Sequence, residues 1–367
     1  MEVYLDNSST TKIDPKVWEE MAKAHEIYGN PSSVHKKGQE ARVFIEKKRD
    51  KISQLLGCES SEIVFTASGT EANNMALKGV LKKGDHILTT PIEHSSILNT
   101  LDSMEGIEIG YIPVDEKGVV DIKGLKDLVQ NNTKLVSVMH ANNETGVIQP
   151  IFNIRKMLND HIPIHVDGVQ SIGKISENPI MAADFCSISP HKFYGPKGIG
   201  ILFIRRDTPF HKLINGGDQE RNRRGGTENI VGIAGACAAL EIAIKNPEYN
   251  KTLELREYLE KSIESKIKGV HINCHSQKRL PGIANIYFEK TTNDMVLFNL
   301  DKEGIFASAG SACSSGSIEP SHVLKAMGLS TKAQNGSIRF SLGKYNTKEE
   351  IDFTTDRLKK IIERLRK

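Results

Sequence analysis

Cysteine is scarce in this chain of 367 residues, and its distribution argues against two kinds of site. The five cysteines are Cys58, Cys186, Cys237, Cys274 and Cys313, and no two of them are spaced as C-x-x-C. An odd, dispersed set of this kind fits neither a disulfide framework nor a closed zinc site. We therefore expect free thiols and a reducing, cytoplasmic compartment.

The chain also lacks a strong excess of one charge and any long apolar run. Lysine and arginine number 49 against 46 acidic residues, and a net charge of +3 is too small for a chain that binds nucleic acid as a polyelectrolyte. The most apolar stretch, residues 232–246, is interrupted by Glu241 and is too short to span a bilayer. The N-terminus has no secretory signal pattern. We expect no direct nucleic-acid partner and no membrane association.

Short apolar runs alternate with helical patterns over roughly the first two thirds of the chain. The runs are EIVFT (62–66), HILTT (86–90), IEIGYIP (107–113), KLVSVMH (134–140), PIHVD (163–167), DFCSIS (184–189) and GILFIR (200–205). This alternation predicts an α/β fold with a mostly parallel sheet flanked by helices. We predict a large domain over residues 13–245 and a smaller α+β domain formed by residues 1–12 and 246–367, without a flexible linker.

Residues that could bind a ligand or take part in catalysis follow several of these runs. Gly69 and Thr70 begin a helix after the first run, His94 follows the second, Asp167 closes PIHVD and Lys192 follows DFCSIS. Ligands of open parallel sheets bind beyond the carboxyl ends of the strands. Taken singly, a capped helix and a structural histidine would explain the first three of these residues.

Together, these residue types match the needs of pyridoxal phosphate. Helix-terminal N–H groups and hydroxyls suit its phosphate, a lysine suits its aldehyde, and a carboxylate suits its ring nitrogen. A nicotinamide dinucleotide is disfavoured because G-x-G-x-x-G is absent after the first run. His161, His165 and Asp167 share a strand face, but we expect no metal there because the cofactor already accounts for Asp167.

Nine segments of the chain resemble the NifS/IscS-type cysteine desulfurases, in the same order. They are LDNSSTT (5–11), GNPSSVH (29–35), TASGTEANN (66–74), HANNETGVIQP (140–150), HVDGVQSIGK (165–174), SPHKFYGPKGIG (189–200), RRGGTENI (223–230), SAGSACSSGSIEPSHVL (308–324) and SIRFSLG (337–343). The resemblance implies a fold-type-I pyridoxal-phosphate enzyme of the class-V aminotransferase type, acting as a homodimer.

The resemblance also implies roles at matching positions. Lys192 would carry the cofactor, Asp167 would hold its ring nitrogen, and His94 would stack on the ring and carry protons. The other implied cofactor contacts are Asn142 and Gln170 at the ring substituents, Gly69, Thr70, Ser189 and His191 at the phosphate, and Thr227 at the phosphate of the other subunit. Arg339 and Asn142 would bind the substrate, with Arg339 gripping its carboxylate. Cys313 would accept the sulfur.

Some positions depart from the family's usual pattern. Ser8 and Ser9 stand where alanines are common, and Pro190 directly precedes His191 and Lys192. A proline has no N–H, so the backbone at Pro190 cannot donate to a phosphate.

The function implied is conversion of L-cysteine to L-alanine, with sulfur held on Cys313 as a persulfide. The acceptor of that sulfur would be an iron–sulfur scaffold or a tRNA-thiolation enzyme. A selenocysteine lyase, another pyridoxal-phosphate reaction on the same fold, or a non-catalytic sulfur-relay subunit are the alternatives.

Overall fold

The computed structural model describes residues 1–158, 162–245, 247–310 and 320–367. Cys313 and His161 therefore lie outside the described residues. The strands are β1 Val3–Tyr4, β2 Ile63–Thr66, β3 His86–Thr89, β4 Glu108–Tyr111, β5 Thr133–Met139, β6 Ile164–Asp167, β7 Phe185–Ile188, β8 Gly200–Ile204, β9 Val270–Ile272, β10 Ile283–Phe288, β11 Ile305–Phe306 and β12 Ser337–Ser341.

The α-helices are α1 Pro15–His25, α2 Lys36–Leu56, α3 Gly69–Lys78, α4 Ser95–Asp102, α5 Leu125–Leu128, α6 Ile151–Met157, α7 Gln219–Asn222, α8 Ile230–Lys245, α9 Tyr249–Lys266, α10 Asn293–Lys302, α11 His322–Ala326, α12 Thr331–Gly336 and α13 Lys348–Leu365. The segment α7 is a single turn with positive φ angles at Glu220, Arg221 and Asn222, and it is not a regular helix. Single 3₁₀ turns cover Ser60–Glu62, Pro179–Ala182 and Pro190–Lys192.

The seven predicted runs form one sheet in the order β2-β8-β7-β6-β5-β3-β4. All neighbours pair in parallel except β8, which is antiparallel to both β2 and β7. The segment between β7 and β8 contains a 3₁₀ turn instead of a crossover helix, so the chain returns in the opposite direction. The mostly parallel sheet is confirmed, and β8 is its exception.

Apolar residues cover both faces of this sheet. Ile63 and Phe65 pack in a core with helices α1, α2 and α8, while Val64 between them packs in a second core with α3 and α4. This alternation follows from the two-residue period of a strand. Residues 232–245 of the most apolar stretch form most of α8, in which Gly232 to Cys237 are all buried.

A third core, separate from the two that cover the large sheet, lies around a three-stranded antiparallel sheet in the order β12-β10-β9. It joins Val3 and Leu5 to the apolar faces of α9 and α13, where Leu358, Ile361 and Ile362 are buried. The apolar stripe of the C-terminal helix is thus used for core packing. This arrangement supports the division into residues 13–245 and residues 1–12 with 246–367, which we retain as a proposal.

In the described part of the chain, no single helix is long and apolar enough to cross a membrane. Helices α8 and α9 reach the required length and composition only when counted together across a bend of 77°.

Candidate active site

A cavity of about 290 Å³ lies at the carboxyl edge of the large sheet. Its walls come from the ends of β5 and β6, the start of α3, the turn that follows β7, and β12 of the second sheet. The lining residues are Ser8, Ser9, Ser68, Gly69, Thr70, Asn73, His94, Ser96, Met139, Ala141, Asn143, Asp167, Val169, Gln170, Ser189, His191, Lys192 and Arg339. Eight of the predicted cofactor and catalytic residues, together with Arg339, therefore meet in one place.

Lys192 ends the 3₁₀ turn Pro190–Lys192 and extends toward the N-terminal segment. Its Nζ donates hydrogen bonds to the carbonyl oxygens of Ser8, at 2.7 Å, and Ser9, at 2.8 Å. Pro190 occupies the first position of the turn, where a missing N–H leaves no intra-turn bond unmade. The proline therefore fits the geometry that presents Lys192.

Asp167 ends β6 with only 6% of its surface exposed. Its carboxylate accepts hydrogen bonds from Asn73 Nδ2 and the Val169 N–H, both at 2.9 Å. A buried carboxylate of this kind is well suited to a cationic ligand nitrogen, since burial without a countercharge is costly.

His94 caps the N-terminus of α4 and faces the same cavity. Its Nδ1 is 2.8 Å from Ser96 Oγ and accepts from the Ser96 N–H at 3.1 Å. Ser96 Oγ in turn accepts from Asn73 Nδ2 at 2.8 Å, so Asn73 links His94 to Asp167. Burial, reinforced by Lys192 and His322, lowers the pKa of His94 below its ordinary value.

The start of α3 forms a cradle with the strand-end residue Ser189. A Cβ on Gly69 would come within 3.1 Å of Val169 Cγ2 and 3.2 Å of Ser189 Cβ, so a side chain there would be crowded. The predicted helix cap is real, but Ser68 provides it by accepting from the Glu71 N–H at 3.1 Å. Other N–H groups of the first turn remain suited to an anion, since α-helices leave their first four N–H groups without partners within the helix.

His191 and Thr70 complete that end of the cavity. His191 Nδ1 is 3.1 Å from Thr10 Oγ1, and burial together with Lys192 lowers the pKa of His191 to about 4. A neutral imidazole beside a helix N-terminus can donate one hydrogen bond to an oxyanion.

Arg339, in β12, crosses from the second sheet into the cavity and is 2% exposed. Its guanidinium pairs with Asp6 at 2.7 Å and donates to Ser9 Oγ at 2.8 Å and to the Asn143 carbonyl at 3.0 Å. Its Nε has no hydrogen-bond acceptor within the described residues. The buried donor leaves capacity for one further anionic group.

Gln170, Asn142 and Thr227 are placed differently from one another. Gln170 lines the cavity, whereas the Asn142 side chain shapes the following turn by accepting from the N–H groups of Glu144 and Thr145, both at 2.9 Å. Asn143 lines the cavity instead of Asn142. Thr227 is exposed and does not line the cavity of its own chain. The predicted roles of Asn142 and Thr227 remain predictions.

His165, one residue of the alternation in which we expected no metal, makes two hydrogen bonds to serine hydroxyls. His165 is buried with Nδ1 2.8 Å from Ser137 Oγ and Nε2 3.0 Å from Ser187 Oγ. Among the described residues no cluster of three potential metal ligands occurs.

Several contacts of the site were not predicted. Asn73 and Ser96 hold Asp167 and His94, and the carbonyls of Ser8 and Ser9 hold Lys192. The position of Asn73 offers a signal, because it lies four residues after Gly69 on the same helical face. The Ser8 and Ser9 contacts span more than 180 residues and leave no local signal.

The residues present fit pyridoxal phosphate. The crowded cradle at Gly69 suits a phosphate, the buried carboxylate of Asp167 suits a protonated ring nitrogen, and Lys192 can reach an aldehyde in the same cavity.

Comparison with known proteins agrees with this chemistry. Residues 3–353 match the class-V aminotransferase family. The cysteine desulfurase IscS of Dictyoglomus turgidum is 46% identical, with 100% of this chain and 95% of the relative covered. A cysteine desulfurase of a Nostoc species is 43% identical, with 99% of this chain and 94% of the relative covered.

Solved structures give the same result. A NifS-like protein superposes with a TM-score of 0.91 at 41% identity, covering 99% of this chain and 100% of the other. The NifS-like protein of Rickettsia africae gives a TM-score of 0.90 at 35% identity, covering 99% and 100%. The chain therefore belongs to the class-V aminotransferase family and, within it, to the NifS/IscS-type cysteine desulfurases. It is an enzyme.

Proposed function

We propose that this enzyme converts L-cysteine to L-alanine and receives the sulfur on Cys313 as a persulfide. The cysteine C–S bond breaks, a sulfur–sulfur bond forms at the Cys313 thiol, and the substrate carbon gains a proton, so no external oxidant or reductant is required. The observation that carries the proposal is the meeting of Lys192, Asp167 and Arg339 in one cavity.

Pyridoxal phosphate would be held by Lys192 at its aldehyde, by Asp167 at its ring nitrogen and by Gly69, Thr70, Ser189 and His191 at its phosphate. When bound, it supplies an electron sink for the carbon next to the substrate amine. Asn73 keeps Asp167 oriented through its 2.9 Å hydrogen bond, so the carboxylate can retain a proton on that nitrogen. Gln170 and Asn142 are the proposed contacts at the ring substituents.

The substrate carboxylate would bind at Arg339, whose Nε lacks an acceptor in the described part of the chain. The Lys192 amine, which lines the same cavity, is the proposed base for the substrate Cα proton. His94 is the proposed proton carrier near the substrate sulfur, because its lowered pKa leaves it neutral and able to accept a proton near pH 7.

The other four cysteines are poor candidates for sulfur acceptance. Burial raises the pKa of Cys58 to about 12 and those of Cys237 and Cys274 to about 11, and it raises that of Cys186 as well. Their thiols stay protonated at neutral pH, and the thiolate is the nucleophilic form. Cys313 lies outside the described residues, and its assignment is supported by the SAGSACSSGS segment that carries it.

Incubating the purified enzyme with L-cysteine tests the sulfur step. We expect equimolar alanine and a persulfide on Cys313, detected by mass spectrometry of alkylated peptides. Cys313→Ala should lose the persulfide and nearly all turnover, whereas Cys274→Ala serves as the matched control and should retain both. Undiminished sulfide release by Cys313→Ala would refute the sulfur step, and pyruvate in place of alanine would point to another reaction on this fold.

Lys192→Ala tests the cofactor assignment. Because the lysine amine is the group that would bond the aldehyde, the variant should lose the visible absorption band of the loaded enzyme. Lys197→Ala, at an exposed lysine five residues further on, should keep the parental spectrum. An unchanged spectrum of Lys192→Ala would contradict the assignment.

Two partners belong to the same proposal. The first is a second copy of the chain, with Thr227 reaching the phosphate site of its partner in a homodimer. The second is a sulfur-acceptor protein, either an iron–sulfur scaffold or a tRNA-thiolation enzyme, in the cytoplasm. The exposure of Thr227 outside its own cavity supports the first.

A further inference from the structure

A second lysine, Lys174, lies behind the proposed active site. Lys174 Nζ donates a hydrogen bond of 2.7 Å to Gln170 Oε1, and Gln170 Nε2 donates one of 2.9 Å to the Ser8 carbonyl. That carbonyl also accepts the 2.7 Å hydrogen bond from Lys192 Nζ. Gln170 and Lys192 therefore share one acceptor, and Lys174 holds the far end of the Gln170 amide.

The hydrogen bond from Lys174 determines which way round the Gln170 side-chain amide lies. A glutamine amide can turn over and exchange its oxygen and nitrogen, but an ammonium group can only donate. Lys174 thus selects the orientation in which Oε1 points to it and Nε2 points to Ser8 and the cavity. The reversed amide would place two oxygens, Oε1 and the Ser8 carbonyl, against each other and would remove an N–H donor from the cavity wall.

We propose that Lys174 is a positioning residue that fixes the Gln170 amide and, through the shared Ser8 carbonyl, the place of the Lys192 amine. This inference rests on the proposed role of Lys192 as the cofactor lysine. Lys174 touches neither substrate nor cofactor in this scheme and acts only through Gln170 and its charge.

The charges around Lys174 strengthen the argument. Lys192 and Arg339 lie on one side, with His191 nearby, and burial followed by the charges of Lys192 and Arg339 lowers the pKa of Lys174 to about 7. Tyr194, Tyr249 and Glu248 line an adjoining cavity of about 70 Å³ with Lys174 and Lys192, and Glu177 shares a further cavity wall with Lys174. Below pH 7 Lys174 is mainly an ammonium that can only donate, so its control of the Gln170 orientation is strongest there.

Substitution of Lys174 with methionine and with arginine separates positioning from packing. Lys174→Met removes both donor and charge, so the pH midpoint of the loaded enzyme's visible band should rise by about one unit, the size expected for loss of a nearby like charge. The dissociation constant of pyridoxal phosphate, measured by titrating the apoenzyme, should rise about tenfold through loss of the ordered Gln170 contact.

Lys174→Arg retains a donor and a charge and should restore the parental midpoint. Lys134→Met, at an exposed lysine of β5, is the matched control and should change neither quantity. Should Lys174→Met prove too unstable to purify, Lys174→Gln removes the charge with a polar side chain and takes its place, with the same rise in midpoint expected.

If Lys174→Met shows the same pH midpoint and the same pyridoxal phosphate dissociation constant as the control Lys134→Met, the inference is overturned. The outcome is distinguishable from failure of the proposed function. If Lys192→Ala keeps the visible band, the cofactor assignment fails; if it loses the band while Lys174→Met behaves like the control, only the role of Lys174 fails.

Discussion

Arg339 is a cavity residue whose hydrogen-bonding groups are only partly used. Its terminal nitrogens donate hydrogen bonds to Asp6, Ser9 and Asn143, while its Nε has no acceptor among the described residues. An arginine presents a planar fork that suits a carboxylate, and a lysine does not. The residue is therefore rigidly held and still has a donor for the proposed substrate carboxylate.

Arg339→Lys should raise the KM for L-cysteine by about tenfold or more, because a charge-assisted hydrogen bond contributes about 1.5–3 kcal/mol. The value of kcat should fall less, since the carboxylate is remote from the bond that breaks. Steady-state kinetics of alanine formation measure both. Arg364→Lys, at an exposed arginine of α13, serves as the control and should keep the parental KM. A parental KM in Arg339→Lys would contradict the assignment.

At the scale of single residues, the strand-end positions were predictable and their partners were not. Asp167 and Lys192 could be found because each follows an apolar run whose end must reach the same sheet edge. Asn73 holds Asp167 across 94 residues of sequence, and the Ser8 carbonyl holds Lys192 across 184. Contacts at such separation depend on how α3 and the N-terminal segment pack at the edge of the large sheet, which no local pattern records.

At the scale of elements, buried histidine–serine pairs of the central strands make the stability of the fold depend on pH. His165 in β6 is fully buried between hydroxyls of β5 and β7, and burial lowers its pKa to about 4. In the unfolded chain its pKa is about 6.5. Between these values the unfolded state binds a proton that the folded state excludes, so stability falls as pH decreases.

Each such histidine should cost about 2 kcal/mol of stability on going from pH 7 to pH 5, at about 1.4 kcal/mol per pH unit below 6.5. His165→Gln keeps polar contacts but does not titrate, so its free energy of unfolding should decline less over this range. Urea unfolding at pH 7 and pH 5 measures the difference. His275→Gln, at an exposed histidine, is the control, and equal declines in His165→Gln and the parent would rule out this contribution.

The elements themselves were predicted well because apolar periodicity dominates them. All seven runs of the large sheet became strands, with ends shifted by a residue or two. The reversed direction of β8 was not specified by its sequence, because Gly200–Ile204 is apolar throughout and reads the same in either direction. The short connection after β7 decided it.

At the scale of the whole molecule, the loop that carries Thr227 is anchored to the rest of its own chain although Thr227 is exposed. Glu220 is buried and pairs with Arg49 at 2.7 Å and 2.9 Å, while Glu220, Arg221 and Asn222 all have positive φ angles. Such backbone conformations are unfavourable for residues other than glycine. A fixed loop that ends in an exposed threonine is suited to contact a second copy.

Thr227→Ala should weaken pyridoxal phosphate binding about tenfold if its hydroxyl reaches the partner's phosphate. A hybrid of one Thr227→Ala subunit and one Lys192→Ala subunit distinguishes the subunit that supplies it. Contribution across the interface leaves one site with both native groups, so the hybrid should show one site of parental affinity. If the hybrid has no site of parental affinity, Thr227 acts at the cofactor of its own subunit. Analytical ultracentrifugation measures the oligomeric state separately.

By itself, the sequence determined the α/β class, the strands and the strand-end positions of Lys192, Asp167 and His94, because apolar runs and the residues that follow them are local properties. Arg339 was predicted only from the family resemblance. The tertiary structure decided which groups hold that set: Asn73 behind Asp167 and the Ser8 carbonyl at Lys192. These contacts join residues 94 and 184 positions apart, so they exist only once α3 and the N-terminal residues pack at the edge of the large sheet. Hydrogen-bond geometry is fixed only when such segments meet.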